Sequence, residues 1–301
     1  MKVIIWRMLF FSLCLSLAAV AAAGGKVWID DLGREVVLPH TPRRIVSLAP
    51  SLTEMLFALG VGDRVVGVTL YDDYPPEARQ KPKIGGMNNP NLEKILSLQP
   101  DLVLATAAGN TQASVLRLAS LGIPVYTLWP RTIGDILQEL RKLGEVLNVP
   151  LQAEELVRSL QDRLDRVRTA VADFSPPRVL YVVWHNPLIT VGKGSYIHDM
   201  IRLAGGENIA ADAPLDYPTY SLEEVLVKKP EIIVVAAHAG KEGVALRETW
   251  QRWRVIPAIA ENRIFTVNAD LFNRPGPRVV DGVEQLARIF HPQAFSGSLQ
   301  R

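Results

Sequence analysis

The chain has 301 residues, of which 48% are hydrophobic and 21% charged, a composition typical of a globular protein of one or two domains. Its 33 basic residues nearly balance its 31 acidic residues, so charge gives no reason to bind nucleic acid, and we expect no such partner. The single cysteine, Cys14, lies in an N-terminal segment that we expect to be removed, which excludes disulfide bonds in the mature protein.

Residues 1–23 have the pattern of a secretory signal peptide. Lys2 and Arg7 precede an apolar run over residues 8–20, and small alanines follow it before Gly24. The alternative is a retained membrane anchor, although the apolar run is shorter than a membrane-spanning helix usually requires. We therefore expect the mature protein to be exported to the periplasm.

Residues 26–147 alternate between apolar runs and helical patterns, which predicts an α/β lobe with a mainly parallel sheet. The lobe begins with a hairpin over residues 26–38 that turns at Gly33. Ser51 and Glu54 have the spacing of a capping box at the start of its first helix. The predicted strands are 44–48, 65–68, 101–105 and 125–128, and the predicted helices are 51–60, 91–98, 115–121 and 133–147.

Residues 150–173 form the longest helical pattern after the N-terminus. The apolar residues recur at three- and four-residue steps, which places them on one face of a helix. At about 1.5 Å per residue the helix spans roughly 36 Å, and we predict that it connects two lobes. No glycine interrupts it, so we expect small lobe movements rather than a wide closure. The apolar residues are Leu156, Leu160, Leu164, Val167 and Val171.

Residues 177–292 repeat the alternation and predict a second, similar lobe, followed by a tail over residues 293–301. The sequence NLEKILSLQPDLVL at 91–104 is echoed by SLEEVLVKKPEIIV at 221–234, with the leucine, glutamate, proline and acidic positions in register. We therefore predict an α/β fold of two similar three-layer lobes with mainly parallel sheets, joined by a single long helix. The predicted elements of the second lobe include strands 178–183 and 232–236 and helix 197–204.

Common enzyme signatures do not occur in the sequence: it has no nucleophile elbow, zinc helix or phosphate loop. The glycine-rich stretch 191–195 is too loose to indicate a nucleotide site. His185, His198 and His238 fall in the second lobe and would make a metal site if the fold brought them together, but they lack ligand spacing. A Zn or Mn receptor and a metal-cofactor enzyme therefore stay open as alternatives, with no catalytic residue identified.

Aromatic and amide residues follow several predicted strands. Open α/β sheets bind ligands in the loops at the carboxyl ends of their strands. An apolar, aromatic lining with a few polar groups suits a cleft for a large, partly apolar molecule. The residues in these loops are Tyr71, Tyr74, Met87, Asn88, Asn89, Trp184, His185, Asn186, Tyr217, Tyr220, Phe272, Asn273 and Arg274.

Five short motifs stand in order along the chain. They are RIVSLAPSLTE at 44–54, DYPP at 73–76, NLE at 91–93, GGEN at 205–208 and RPGPR at 274–278. Together they resemble the helical-backbone, or class III, periplasmic binding proteins, which deliver cobalamin, haem and ferric siderophores to ABC importers. The resemblance implies two α/β lobes on one long helix, a ligand cleft between the lobes, and a monomer with no cofactor of its own. The transported ligand would be a metal-containing macrocycle or chelate.

The resemblance also assigns roles to particular residues. Glu93 and Glu223 match two glutamates, one on each lobe, that dock onto arginines of the dimeric ABC permease in the cobalamin-binding member of the class. Met87, Thr106 and Tyr217 stand where that member has three cleft tryptophans. The residues predicted to contact the ligand are Tyr71, Met87, Asn88, Trp184, His185, Tyr217, Asp270, Phe272, Asn273 and Arg274.

The leading hypothesis is a receptor for a corrinoid such as cobalamin. Haem and a ferric siderophore are the alternatives, because the hairpin at residues 26–38 is more typical of the haem and siderophore branches. For haem, Tyr71, His185 or Tyr217 would supply an axial ligand. An anionic siderophore would need arginines in the cleft, and Arg274 is the clearest candidate.

Overall fold

The computed structural model describes residues 25–237, 250 and 252–299. The predicted signal peptide, His238 and the last two residues of the predicted tail lie outside the described residues. Among the helices that are described, none is long and apolar enough to cross a membrane.

Contacts between residues divide the chain into two compact units. Unit 1 runs up to Trp129 and also includes Leu143–Pro150. Unit 2 combines Pro130–Lys142 with the chain from Leu151 onwards. The chain therefore passes from one unit to the other three times.

Unit 1 contains a hairpin and a four-stranded sheet. The hairpin pairs β1 (Lys26–Ile29) with β2 (Glu35–Leu38) in antiparallel register, and Gly33 makes the turn with φ of 73°. The remaining elements are β3 (Ile45–Ser47), α1 (Pro50–Ala58), β4 (Val65–Gly67), α2 (Leu92–Ser97), β5 (Leu102–Thr106), α3 (Gln112–Ser120) and β6 (Val125–Leu128), with short 3-10 helices at Gly62–Arg64 and Pro76–Gln80. The sheet is parallel, in the order β4-β3-β5-β6.

The start of α1 differs from the prediction. Pro50 lies in its first turn, Ala49 is the N-cap, and no side chain caps the helix, so the predicted Ser51–Glu54 capping box is wrong. Proline suits this position because its missing N–H would have no partner in the first turn. Ser51 and Glu54 are buried instead.

The helix α4 (Ile133–Val146) belongs partly to each unit, because Pro130–Lys142 lies in unit 2. The N–H of Ile133 donates to Asp199 Oδ2 at 3.0 Å, which attaches the start of α4 to unit 2. The predicted boundaries placed the whole of this helix in the first lobe. The pattern of residues 133–147 carries no signal for the attachment, since its partner is 66 residues away.

The long helix α5 (Pro150–Val171) begins at the predicted residue and carries the predicted apolar stripe. Four of the five predicted apolar residues are buried, and Leu156 is half-buried. Two further positions on this face, Ala153 and Val157, are also buried, although the apolar pattern did not predict them. The full buried set is Ala153, Val157, Leu160, Leu164, Val167 and Val171.

Unit 2 contains a second four-stranded sheet. Its elements after α5 are β7 (Arg178–Val182), β8 (Trp184–His185), β9 (Leu188–Ile189), α6 (Tyr196–Leu203), β10 (Glu207–Asn208), α7 (Leu222–Lys228), β11 (Ile232–Ala237), α8 (Pro257–Ala260), β12 (Ile264–Asn268), α9 (Ala269–Phe272), α10 (Val279–Phe290) and a 3-10 helix at Pro292–Leu299. The sheet is parallel in the order β10-β7-β11-β12, and β8 pairs with β9 as a small antiparallel ribbon.

The central strands β3, β5 and β11 are buried along their whole length, as parallel strands covered by helices on both faces should be. Each fully buried Val, Leu or Ile side chain contributes about 1.5–3 kcal/mol by leaving water. The predicted α/β fold with two mainly parallel sheets is confirmed.

The internal repeat is visible in the backbone. The N-caps of α2 and α7, Asn91 and Ser221, each accept a hydrogen bond from the backbone N–H three residues further on. After each helix, Gln99 and Lys229 have φ of 47°, a left-handed conformation that is uncommon outside glycine, and a proline follows. The two units therefore use the same helix–turn–strand device.

The same kind of hydrogen bond, from an arginine backbone N–H to a carboxylate, holds this device in both units. The Arg44 N–H donates to Asp101 Oδ1 at 2.9 Å in unit 1. The Arg178 N–H donates to Glu231 Oε2 at 2.8 Å in unit 2. Each arginine also donates its side-chain Nε at 3.1 Å to a carbonyl just after the helix of its unit, Gln99 O after α2 or Lys229 O after α7. Structurally equivalent residues thus fix the turns after α2 and α7.

Candidate functional site

Tyr71 lies on a turn after β4 in unit 1, and its side chain is 58% exposed. Asp72 fixes the turn from its buried side, since its carboxylate is buried and accepts a hydrogen bond from the Thr69 hydroxyl. Lys83 Nζ donates to the Asp72 carbonyl at 2.8 Å. Burial raises the pKa of Asp72, and the hydrogen bonds and Lys83 oppose that rise. A fixed turn therefore presents the Tyr71 ring to solvent.

Met87 and Asn88 lie on the neighbouring loop of unit 1. Asn110 ties this loop to the end of β5, since its Nδ2 donates to Met87 O at 2.9 Å and its Oδ1 accepts from Thr106 N at 2.7 Å. The tip of the half-buried Met87 side chain occupies the space where Gly109 would carry a Cβ. Asn88 is exposed. No sequence pattern indicates this role of Asn110, because it depends on contacts between two loops.

Trp184 and His185 follow β7 in unit 2, at the carboxyl end of its sheet. Trp184 is 48% exposed, and its Nε1 donates to Asn186 O at 2.9 Å. The two rings lie 5.5 Å apart between centroids. His185 lines a small cavity of about 40 Å³ together with Val235 and Asn273. Its Nδ1 is buried and has no hydrogen-bond partner among the described residues.

Asp270 and Arg274 form an ion pair within the predicted ligand loop. Arg274 Nη2 donates to Asp270 Oδ1 at 2.7 Å, and most of the arginine side chain is buried. The pair places opposite charges together, so the loop offers little net positive charge to an anionic chelate.

Phe272 lies in the core of unit 2 rather than on a ligand-facing surface. Its exposure is 0%, and its ring packs 6.2 Å from that of Tyr181 between centroids. The backbone around it is also fixed, since Tyr196 Oη donates to Phe272 O and Tyr181 Oη to Asn273 Oδ1, both at 3.1 Å. The predicted ligand contact through this ring therefore does not fit the structure, whereas its neighbours in the loop remain candidates.

Tyr217 lies on the loop before α7, and 47% of the side chain is exposed. Ser195 Oγ donates to its hydroxyl at 3.3 Å. Loss of hydration around the hydroxyl raises the pKa of Tyr217, and the neighbouring Asp216 adds to the rise. The phenol is therefore neutral at neutral pH and offers an apolar ring with one polar end.

Glu93 and Glu223 occupy the second residue of α2 and α7 respectively, and both are exposed. Within the described part of the chain, neither carboxylate makes a hydrogen bond or an ion pair. The capping box of α7 uses the adjacent Glu224, whose Oε2 accepts from Ser221 N at 2.6 Å. The structure thus gives the two predicted docking glutamates equivalent places, one in each unit.

The second-lobe histidines are not assembled around a metal in the part of the chain that is described. His198 Nδ1 lies 3.2 Å from Asn208 Nδ2, and burial lowers the pKa of this histidine. His238 lies outside the described residues. Among residues 25–237, 250 and 252–299, no three His, Cys, Asp or Glu side chains are grouped to hold a metal ion.

Three comparisons place the chain among known proteins. The sequence profile of a family described as "Periplasmic binding protein" matches residues 45–271. A vitamin B12-binding protein from Vibrio cholerae serotype O1 is 36% identical over 249 residues, which are 82% of this chain and 89% of that protein.

Two solved structures have the same fold. The crystal structure of the periplasmic vitamin B12-binding protein of Vibrio cholerae matches with a TM-score of 0.75 and 35% identity, covering 85% of this chain and 99% of that one. The apo form of a periplasmic haem-binding protein from Roseiflexus sp. RS-1 matches with a TM-score of 0.75 and 28% identity, covering 84% and 99% respectively.

Proposed function

Because the chain belongs to the periplasmic binding protein family, in its helical-backbone class, we propose that it captures a corrinoid of the cobalamin type and delivers it to an ABC permease. The observation that carries the ligand class is the 36% identity to a vitamin B12-binding protein along 82% of the chain. We propose that the protein acts in the periplasm as a monomer after removal of the signal peptide. Its relatives are named as binding proteins, and we assign no catalytic residue.

The exposed aromatic side chains suit a corrin ring. Tyr71 in unit 1, and Trp184 and Tyr217 in unit 2, present large apolar faces in loops at the carboxyl ends of strands. A corrin is broad and largely apolar, with amide side chains around its rim. Asn88 and Asn273 offer amide groups that match such a rim. That the ligand lies in a cleft between two lobes stays a prediction.

Charge favours a corrinoid over an anionic siderophore. Cobalamin has no strongly anionic rim, whereas ferric siderophores of the catecholate and carboxylate types do. The Arg274 guanidinium, the clearest arginine for an anion, is already paired with Asp270. Binding an anion there would require that pair to open or to be shared.

Haem is the second candidate, because a haem-binding protein matches the fold with the same TM-score of 0.75. Tyr71 is the most exposed of the proposed axial ligands, since 58% of its side chain is accessible. An iron–phenolate bond would give haemin a characteristic charge-transfer band, which a corrinoid cannot imitate.

Titration of the signal-free protein with cyanocobalamin, haemin and a ferric siderophore tests the proposal. Trp184 is half exposed beside the proposed contacts, so quenching of tryptophan fluorescence should report binding. We expect saturable quenching by cyanocobalamin, most of which is lost in Trp184→Phe. Saturable binding of haemin with a shifted Soret band, and no response to cyanocobalamin, would replace the corrinoid by haem.

We also propose that Glu93 and Glu223 dock onto arginines of the permease dimer. Their equivalent positions support this, because a two-fold symmetric partner requires the same group twice. Their exposure leaves both carboxylates accessible to a guanidinium.

Reversing both charges, with Glu93→Lys and Glu223→Lys, should abolish uptake while cyanocobalamin affinity stays unchanged. Glu145→Lys is the matched control, since it reverses an exposed glutamate on α4 and should leave uptake intact. Loss of ligand affinity in the double variant, or normal uptake, contradicts the docking role.

A further inference from the structure

An ion pair in unit 2 holds the loop that carries Tyr217. Arg131 Nη2 donates to both carboxylate oxygens of Asp216, at 2.8 and 2.7 Å. Its Nε donates to Gly194 O at 3.1 Å, so one guanidinium joins two separate loops. The side chains are 38% and 41% exposed, so salt screens the pair only in part.

The glycine-rich stretch 191–195, which has no nucleotide-binding pattern, packs closely around this pair. A Cβ at Gly194 would overlap Asp216 Oδ1, and a Cβ at Gly192 would overlap the carbonyl oxygen of Leu215. The Gly192 N–H donates to Asp216 O at 2.8 Å. Only glycine allows the two loops to approach this closely.

The backbone that carries Arg131 is itself held in place by hydrogen bonds. The N–H groups of Arg131 and Thr132 both donate to Asp135 Oδ2 at 2.9 Å. The next N–H, that of Ile133, donates to Asp199 Oδ2 on α6 at 3.0 Å. The guanidinium therefore projects from an anchored turn, which means that it can hold Asp216 in place rather than follow it.

We propose that the Arg131–Asp216 pair is a positioning device for Tyr217 in ligand binding. Tyr217 follows Asp216 directly, and its hydroxyl accepts from Ser195 at the end of the glycine stretch. With the pair intact, the tyrosine ring is already placed before the ligand arrives. Without the pair, ligand binding must also order the loop, and the loss of conformational entropy weakens the affinity. The inference rests on the proposed function, because it gives Tyr217 a ligand to contact.

Two measurements on Arg131→Ala test it. Hydrogen exchange at the Gly192 N–H, which is bonded to Asp216 O, should become faster whether or not any ligand is present. Cyanocobalamin affinity should fall about fivefold, the scale of one partly exposed ion pair. At about 1 M salt, where the screening length is about 3 Å, the difference in affinity between the wild type and the variant should become smaller.

Arg163→Ala is the matched control, because Arg163 makes a similar ion pair with Glu284 on α10, at 2.8 Å. It should leave cyanocobalamin affinity and its salt dependence unchanged, whereas Arg131→Lys should restore part of the lost affinity.

The outcomes separate this inference from the proposed function. Unchanged exchange at Gly192 in Arg131→Ala, or faster exchange with unchanged affinity, overturns the positioning role. Equal losses of affinity in Arg131→Ala and Arg163→Ala also overturn it, because they would show a general effect on stability. Failure of the wild type to bind cyanocobalamin would instead remove the proposed ligand, while the exchange rates would still decide whether the pair holds the loop.

Discussion

Both units contain a hydrogen bond from an arginine backbone N–H to an acidic side chain, Asp101 in unit 1 and Glu231 in unit 2. We predict that replacing these two equivalent acids by alanine lowers stability by unequal amounts. Asp101 accepts two backbone hydrogen bonds, from Arg43 N at 2.8 Å and from Arg44 N at 2.9 Å. Glu231 accepts one, from Arg178 N at 2.8 Å. Hydrogen bonds to a charged group contribute about 1.5–3 kcal/mol each, and less where water reaches the acceptor.

Exposure decides how far those values are reduced. The Asp101 side chain is 21% exposed and that of Glu231 is 41% exposed. Asp101→Ala should therefore lower the free energy of unfolding by about 2–3 kcal/mol, and Glu231→Ala by about 1 kcal/mol. Asp101→Asn keeps one acceptor oxygen and should lose about half as much as Asp101→Ala.

Urea unfolding followed by far-ultraviolet circular dichroism measures these differences. Cyanocobalamin affinity should not change in any of the three variants, because the contacts lie at the amino ends of the strands. Equal losses for Asp101→Ala and Glu231→Ala, or a larger loss at Glu231, would refute the reasoning from bond number and exposure.

Three further predictions concern pH and packing. Burial raises the pKa of Asp72, so its contribution to stability is present below its ordinary value of 3.8 and is lost as pH rises through the raised value. In Asp72→Asn, the thermal midpoint should no longer show this fall between acidic and neutral pH. The same pH dependence as in the wild type would contradict the prediction. Arg163 lowers the pKa of Glu284, so the contribution of this pair to stability is present above pH 4.5 and is lost as pH falls. Arg163→Ala should therefore flatten the acid side of the plot of thermal midpoint against pH. A parallel shift of the whole plot would argue against the pair. Phe272→Ala should cost about 3–5 kcal/mol in urea unfolding, and a loss below about 1 kcal/mol would mean that the ring is not packed.

The candidate site shows how far loop positions can be predicted. Strand patterns located the loops after β4 and β7, and Tyr71 and Trp184 are exposed there as expected. The same reasoning failed for Phe272, which follows a strand but packs against Tyr181. Which side of a short helix faces the core depends on the elements packed against it, and the sequence of the loop alone does not contain that information.

Local interactions determined what the sequence could establish by itself. Helical periodicity identified α5 and its buried stripe, and the repeat of residues 91–104 at 221–234 identified two similar α/β halves. These patterns arise within a few residues of one another, through backbone hydrogen bonds and the burial of one face. Short motifs, such as RIVSLAPSLTE at 44–54 and RPGPR at 274–278, carried the resemblance to helical-backbone binding proteins.

Only the tertiary structure decided which distant segments meet. Arg131 donates to Asp216, which is 85 residues away in sequence, and Ile133 donates to Asp199, which is 66 residues away. The start of α4 therefore belongs to unit 2. Such contacts depend on the parallel order β10-β7-β11-β12 and on where each helix packs against that sheet. A glycine-rich stretch that looked like a loose loop is, for this reason, a close-packed support for Tyr217.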